Sequence, residues 1–384
     1  MGEAARASKR LAALLVLLVL IIIGLAMIVY GFTRKEVHAV SWGLLVAAYV
    51  YFALISGGAI ILEGVHTILG YKGPKSELGR IYKLALWFSI ASVVCAWLLI
   101  AAEVTKPWIF WKIFTEFNVT SRIAWMVLLY AIYAVILVIQ LIVIIRIASG
   151  GLEKVELALA VLGVIVAVAL YSNLAQVFGT IAAVPGWYGP HLAAYFIVSV
   201  ILLGASGQAL FSMPYAWRDE ELKRFLARFY GQVIVLGVLI LAFLTIWNVI
   251  TAWYMPGVWI TYSEIVTGAY STIFWVVVVL LGIVAVLILA LYATLMKNVI
   301  ALILAAVLAL ISGFVNVYLL IIVHQTKLPE VLGGLFRVAP HHISTPEILI
   351  VLGAIIIWPS LYVFGQTLLP LLPGEKPKRL FIFK

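Results

Sequence analysis

Hydrogen-bonding and ionisable side chains stand at the ends of several long apolar runs in this 384-residue chain. Ionisable groups in lipid are costly, so each of them needs a reason. Six of these residues fall at run ends that would converge in one helix bundle: His38, Trp42, Glu103, Lys106, Tyr171 and Asn173. Together they would offer an acid, bases and amide or hydroxyl groups, which suits proton exchange with a bound polar ligand.

A second set of polar residues lies deeper in the apolar runs. Glu63 and His66 are three residues apart, so on a helix they share one face. Each feature also has a structural interpretation. Glu103 and Lys106 would form a helix-end ion pair, Glu63 and His66 a satisfied pair near the surface. The amides of Asn248 and Asn316 would join neighbouring helices by hydrogen bonds.

The elements that carry these residues are membrane helices. The chain is 66% hydrophobic and only 10% charged, whereas soluble domains carry about 25% charged residues. We therefore expect an integral membrane protein, whose net charge of +10 favours contact with anionic lipid rather than with nucleic acid.

Redox centres within the chain are not expected. The single cysteine, Cys95, excludes a disulfide framework, a c-type haem and a cysteine-ligated iron–sulfur cluster in this chain. Of the six histidines, only His66 lies well inside an apolar run, which disfavours a haem held between helices. Any redox chemistry would then exchange its electrons with a partner.

Ten apolar runs are long enough to span a membrane. They cover residues 11–32, 39–69, 81–103, 123–146, 153–175, 191–213, 229–252, 267–293, 298–323 and 347–369. Alternate ends of these runs carry 18 of the 25 Lys and Arg residues on one side, and the other side has the remaining 7. The positive-inside rule then places both termini in the cytoplasm and Glu103 at the outer side.

The predicted outer loops are rich in aromatic residues. The segment after Glu103 holds Trp108, Phe110, Trp111 and Phe117. Two interpretations stay open: an interfacial aromatic belt, which membrane proteins commonly have, and a docking surface for another protein.

A weak internal repeat suggests the arrangement of the helices. The segment 47–59 resembles 193–209, and both copies contain small residues that would let helices pack closely. We therefore predict an all-α fold with two parallel four-helix bundles, spans 2–5 and 6–9, and one flanking helix at each end. The corresponding units are residues 1–36, 37–176, 177–323 and 324–384.

Three segments, in their order, resemble the NrfD family of membrane anchors, which includes polysulfide reductase subunits. Trp42-Gly43 opens a helix that carries a small-residue patch, Glu103-Val104-Thr105-Lys106-Pro107-Trp108 follows the next helix, and Asn118 with Ser121 opens the one after. The family turn has Asp, Gly and Arg where this chain has Glu, Thr and Lys. The resemblance is best over residues 37–146 and moderate over 191–213.

The resemblance implies the quinone-handling membrane subunit of a respiratory oxidoreductase in a prokaryotic plasma membrane. It implies an iron–sulfur partner and a catalytic subunit on the outer face, and a menaquinone-like substrate. The quinone site would comprise His38, Trp42, Glu103, Lys106, Trp108, Tyr171 and Asn173. His38 with Tyr171 or Asn173 would hold the oxygens, Glu103 would accept protons, and Trp42 and Trp108 would line the ring.

A proton path from the inner surface would start at Glu63 and His66 and use Gln140 as a stepping stone. The alternative function is a secondary transporter, which ten helices and a repeat also suit. Transporters usually break helices near the membrane midplane. Here the prolines cluster in loops and at ends, and the two nearest to spans, Pro214 and Pro359, lie away from the midplane of spans 2–5, which favours the anchor.

Overall fold

The computed structural model describes residues 2–35, 41–69, 77–146, 152–329, 336–338 and 342–372. Within these ranges, ten helices are long and apolar enough to cross a membrane, which confirms the predicted all-α integral membrane protein. The helices are α1 (Gly2–Thr33), α2 (Leu44–Ile68), α3 (Glu77–Glu103), α4 (Lys112–Thr115), α5 (Arg122–Arg146), α6 (Glu153–Gly179), α7 (His191–Ala216), α8 (Glu220–Tyr254), α9 (Pro256–Val266), α10 (Ser271–Met296), α11 (Val299–Thr326) and α12 (Thr345–Leu368). We call the end of the helices that contains Glu103 the outer end, following the predicted orientation.

The remaining elements are short. A 3₁₀ turn covers Pro107–Ile109, and strands β1 (Lys327–Pro329) and β2 (Phe336–Val338) pair in an antiparallel ribbon after α11. Two spanning helices contain π-helical stretches, Phe274–Ala285 in α10 and Leu319–Val323 in α11. Short π segments inside helices are often associated with functional sites.

Helix α2 lies at the centre of the molecule and packs against α3, α6, α7 and α11. Helix α5 packs on α3 and α6, while α8, α10 and α11 pack together with α7. We call α2, α3, α5 and α6 the first group of helices and α7, α8, α10 and α11 the second group. Helices α1 and α12 pack against each other and against α3, outside these two groups. These contacts are compatible with the two predicted groups of four helices.

Helices α2 and α7 meet at glycines, as the small residues of the repeat predict. A Cβ atom added at Gly58 would lie 2.3 Å from the Cα atom of Gly204, so only glycine lets the two backbones come so close. Close approach through small residues gives van der Waals packing, which replaces the hydrophobic effect as the force between helices in lipid.

Side-chain caps fix several helix ends. The amide N–H of Ala124 donates to Ser121 Oγ (3.2 Å), so Ser121 caps the start of α5. At α12, Ser344 and Glu347 form a capping box, and Glu347 also accepts a hydrogen bond from the N–H of Leu44 (3.1 Å) at the start of α2. One buried acid thus ties together the outer ends of two helices.

The segment before span 7 differs from the prediction. The apolar run of span 7 covers residues 229–252, whereas α8 continues without a break from Glu220 to Tyr254, 35 residues. Asp219 caps it by accepting from the N–H of Leu222 (3.0 Å) and binds the Arg80 guanidinium (2.5 Å). The backbone hydrogen bond, with help from Arg80, lowers the pKa of the Asp219 carboxyl.

Candidate functional site

Trp42 is held in an aromatic cluster just before α2. Its ring stacks on Trp187 with centroids 5.3 Å apart and meets Phe178 edge-on at 4.8 Å. Gln325 of α11 fixes the backbone on both sides, because its Oε1 accepts from the N–H of Trp42 (3.2 Å) and its Nε2 donates to the carbonyl (2.9 Å). Both groups of helices therefore position this ring.

Glu103 pairs with a residue that sequence spacing does not suggest. Lys35, just beyond α1, binds its carboxylate at 2.7 Å and also donates to its backbone carbonyl. The expected partner, Lys106, is exposed, as is Trp108. The alternative of a Glu103–Lys106 ion pair is thus wrong, and the acid is held in a partly buried pair at the end of α3.

Asn173 and Tyr171 lie on the same helix but serve different neighbours. Asn173 Nδ2 donates to the carbonyl of Arg122 (3.0 Å), which joins α6 to the start of α5. Tyr171 is fully buried and packs so closely on Gly57 that a Cβ atom there would lie 2.4 Å from its ring. Because α6 runs to Gly179 rather than to residue 175, Tyr171 lies about 12 Å inside the helix end.

The predicted site residues therefore form separate sets. Among the residues that the structure describes, no hydrogen bond or ring contact joins Trp42, Glu103, Trp108 and Tyr171 to one another. His38 lies outside the described residues. Trp42 and Glu103 occupy the outer end, whereas Tyr171 belongs to a row of polar groups deeper in the helices.

This polar row runs between α2 and α5. It comprises Tyr49, Ser56 and Glu63 on α2, Tyr130, Tyr133 and Gln140 on α5, Tyr82 on α3 and Tyr171 on α6. Residues 49, 56 and 63 are spaced by seven, so they lie on one face of α2. All of them are buried in the protein rather than exposed to lipid.

The half of the polar row nearer the outer end is hydrogen-bonded. The Tyr133 hydroxyl donates to the carbonyl of Ser56 (2.9 Å), and its oxygen lies 3.2 Å from Ser56 Oγ. Ser56 Oγ donates to the carbonyl of Ser89 (3.1 Å). The rings of Tyr133 and Tyr171 meet edge-on with centroids 6.0 Å apart.

The half of the polar row nearer the inner end holds the residues of the predicted proton path. Glu63 is 2% exposed, and Gln140 Nε2 donates to the Tyr82 hydroxyl (3.2 Å). His66 is only partly buried, and its ring lies 6.5 Å from that of Phe229. Glu63 and Gln140 thus belong to the buried row, while His66 lies nearer the surface at its inner end.

Several atoms of the polar row have no hydrogen-bond partner among the described residues. They are Glu63 Oε1, Tyr130 Oη, Gln140 Oε1 and Tyr171 Oη. Buried polar atoms are nearly always hydrogen-bonded, to ordered water when not to protein. Ordered water between the helices would satisfy these groups, which lie along one line.

Sequence reasoning missed most members of this row. Of its tyrosines the sequence singles out only Tyr171, because buried tyrosines are common in any core. A signal was available, however: Tyr130, Tyr133 and Gln140 fall at helical spacing on one face of an otherwise apolar span. The partners Lys35, Trp187 and Gln325 are far away in sequence and carry no comparable signal.

Comparison with known proteins finds one family. Residues 32–329 match the family model described as polysulphide reductase, NrfD. The chain is 30% identical over 210 residues to the Hdr-like menaquinol oxidoreductase integral membrane subunit of Archaeoglobus fulgidus, covering 52% of this chain and 50% of the relative. It is 24% identical over 275 residues to a selenate reductase subunit from Mesobacillus selenatarsenatis, covering 62% and 63%. The chain thus matches half to under two thirds of the length of these relatives.

Proposed function

The chain belongs to the NrfD polysulphide reductase family, and on that premise we propose that it handles quinone as the membrane subunit of an oxidoreductase complex. One relative is a menaquinol oxidoreductase subunit by name, which supports a menaquinone-like substrate. In the structure, the observation that carries the proposal is the polar row, because quinone chemistry moves protons together with electrons.

The proposed site lies at the outer ends of α2, α3 and α6. A quinol that becomes a quinone releases two electrons and two protons, so it needs a slot for a flat ring and an acceptor for protons. Of the Trp42–Trp187–Phe178 cluster, only Trp42 is partly exposed, so Trp42 would line the slot while the two buried rings hold it in place. Glu103 is the proton acceptor, and Lys35 holds its carboxylate in place. His38 holds a quinone oxygen in this proposal, with Lys106 and Trp108 closer to the water.

Tyr171 and Asn173 take different roles from those that the sequence suggests. Asn173 positions the start of α5, and Tyr171 belongs to the polar row at the level of Gly57, which it contacts. The row leads through Tyr133 and Ser56 towards Glu63. We assign the row as a proton path between the inner surface and the quinone site. His66 would load it from the inner side.

Electrons would pass between the quinone and an iron–sulfur partner that carries them to or from a catalytic subunit on the outer face. Quinol oxidation and quinone reduction use the same groups in opposite directions. The outer segment after α3 is the proposed docking surface, because Trp108, Phe110 and Trp111 are 63%, 61% and 52% exposed. Aromatic side chains are enriched in buried protein interfaces. The alternative for these residues remains an interfacial belt.

A secondary transporter is less well supported. Transporters bind substrate where helices break near the midplane. In the described ranges, each of the ten spanning helices continues from one end to the other. Pro359 nevertheless lies in the interior of α12, and Pro214 lies near the inner end of α7, so these two prolines are not confined to loops.

The test measures quinol-dependent turnover of the intact complex. Glu103→Gln and His38→Ala should each lower it by about ten- to a hundredfold, because general acid–base groups contribute on this scale. Activity of the soluble subunits with an artificial electron donor should persist. A matched control is Glu264→Gln, since Glu264 forms a similar outer ion pair with Lys327 (2.7 Å) on the other group of helices. Wild-type turnover in both site variants would rule out the site.

A further inference from the structure

Three basic residues lie together at the inner end of the second group of helices, where the proposed function assigns no role. Helices α8 and α10 meet at Gly231, where an added Cβ atom would lie 2.4 Å from Thr294 Oγ1. Arg224 and Arg228 precede Gly231 by seven and three residues, so they lie on one side of α8, inward of this contact. Lys297 follows Thr294 by three residues and caps the inner end of α10. We call Arg224, Arg228 and Lys297 the basic patch.

Two members of the basic patch lie at nearly the same depth. Arg228 and Lys297 are each three residues, or about 4.5 Å along a helix axis, inward of the contact between the helices. Arg224 lies one turn further inward, and all three residues are exposed. Like charges at one depth on adjoining helices repel each other unless an anion lies close to both.

No carboxylate of the described residues neutralises the basic patch. None of its three members forms an ion pair in that part of the chain. Two nearby acids are already paired, Asp219 with Arg80 and Glu220 with Lys223. Glu221 is exposed one turn before the first arginine of the patch, yet no ion pair joins it to the patch within the described ranges. The patch is therefore suited to an anion from outside this chain.

Lys297 adopts a backbone conformation that glycine normally provides. Its φ is 52°, the only positive φ of a non-glycine residue in the described ranges. Glycine is usual at such a helix end, and asparagine is also tolerated. A cation there interacts favourably with the carbonyl end of the helix. Arg228 gains nothing from a helix end, because it lies eight residues inside α8.

The basic patch borders the lipid-facing surface of the protein. Outward of it, Leu236 of α8 and Leu295 and Met296 of α10 are exposed. On spanning helices, exposed apolar side chains contact lipid tails, and basic side chains near helix ends reach the headgroups. A phospholipid whose tails cover these residues would bring its phosphate to the depth of Arg228 and Lys297.

We propose that the basic patch binds the phosphate of an anionic phospholipid, with the acyl chains along α8 and α10. The headgroup supplies the counter-ion that the described residues do not provide, and it links the inner ends of the two helices. A zwitterionic lipid binds less well, because its own cation competes for the phosphate. The proposal is independent of the quinone function, since the patch shares no residue with the outer site or the polar row.

The experiment measures lipid binding to the purified, delipidated complex by native mass spectrometry. The probes are phosphatidylglycerol and a phosphatidylcholine with the same acyl chains. Wild type should bind phosphatidylglycerol more tightly. Arg228→Gln and Lys297→Asn should each weaken that binding about fivefold, the contribution of one basic residue near an anionic surface. Asparagine suits position 297 because it tolerates positive φ. Arg228→Lys keeps the charge and should bind phosphatidylglycerol as wild type does.

The matched control is Lys154→Gln, at an exposed lysine of the inner end of α6 in the first group. It should leave phosphatidylglycerol binding unchanged. Equal weakening in Lys154→Gln would indicate general attraction by surface charge and overturn the site. Equal affinity of wild type for both lipids would overturn it too, as would displacement of phosphatidylglycerol by an equal concentration of inorganic phosphate. Loss of a protein subunit in both Arg228→Gln and Lys297→Asn would assign the basic patch to a protein partner instead of a lipid.

Discussion

At the scale of single residues, Glu63 is the group on which the proposed proton path depends. It is the only Asp or Glu of the polar row and is almost completely buried. In vesicles that contain the intact complex, Glu63→Gln should lower proton uptake from the inner side by about tenfold or more, because glutamine cannot carry a proton. Quinol oxidation should remain measurable.

The control for Glu63→Gln is the same substitution at Glu116, whose side chain is 71% exposed near the outer end. It should change neither proton uptake nor quinol oxidation. Proton uptake at the wild-type rate in Glu63→Gln would exclude Glu63 from the path. It would leave the outer quinone site untouched, since the two activities are measured separately.

Gly57 tests how tightly the polar row is packed. A methyl group at this position would lie 2.4 Å from the Tyr171 ring and 2.6 Å from Val200. Gly57→Ala should therefore lower the stability of the purified protein by about 1–3 kcal/mol, the usual cost of overpacking a core. The measurement is the thermal unfolding midpoint in detergent. Gly257→Ala is the control, because nothing lies within 4 Å of a Cβ atom there; equal midpoints for both variants would contradict the close contact.

At the scale of the elements, the ten spans could be predicted because lipid imposes a simple length rule on apolar runs. The residues at which the spans begin and end are predicted less accurately. The apolar run predicts that α6 ends at residue 175, yet the helix continues to Gly179 and buries Tyr171 well inside it. The start of α8 is not evident from hydropathy, because its first turns are charged and extend beyond the lipid.

The orientation of these elements is a prediction of the charge distribution. Cysteine introduced at position 113, between α3 and α5, should react with a membrane-impermeant reagent added from outside. Cysteine at position 77, at the start of α3, should not. The native thiol, Cys95, is buried and should give little background. The reverse labelling pattern would place the quinone site on the cytoplasmic side.

At the scale of the whole molecule, the proposed function requires partners, because the proposed catalytic subunit is a separate chain that exchanges electrons with the quinone. An affinity-tagged version of this protein, extracted in mild detergent from its native membrane, should bring an iron–sulfur subunit and a catalytic subunit with it. Mass spectrometry and the iron content of the purified material measure this. A protein that purifies alone and is fully folded would favour the transporter alternative.

The candidate site shows the limit of sequence reasoning at this scale. Trp42 and Glu103 could be selected because they stand at span ends, and the family motifs include both positions. The residues that contact Trp42 and Glu103 could not be predicted. Lys35 comes from the end of α1, Trp187 from a loop after α6, and Gln325 from the end of α11. Such contacts depend on how separate helices pack, which the spacing of residues within one helix does not encode.

The central position of α2 has a consequence for how the protein is made. In its apolar core, 94% of the residues are buried by other parts of the chain, against 11% for α1. Helix α2 carries Glu63 and two adjacent glycines, and it emerges from the ribosome before the helices that pack against it. Alone in lipid, a buried acid is costly. Biogenesis therefore requires that α2 stays shielded, at the insertion machinery or beside an insertion chaperone, until α3, α6 and α7 have been synthesised.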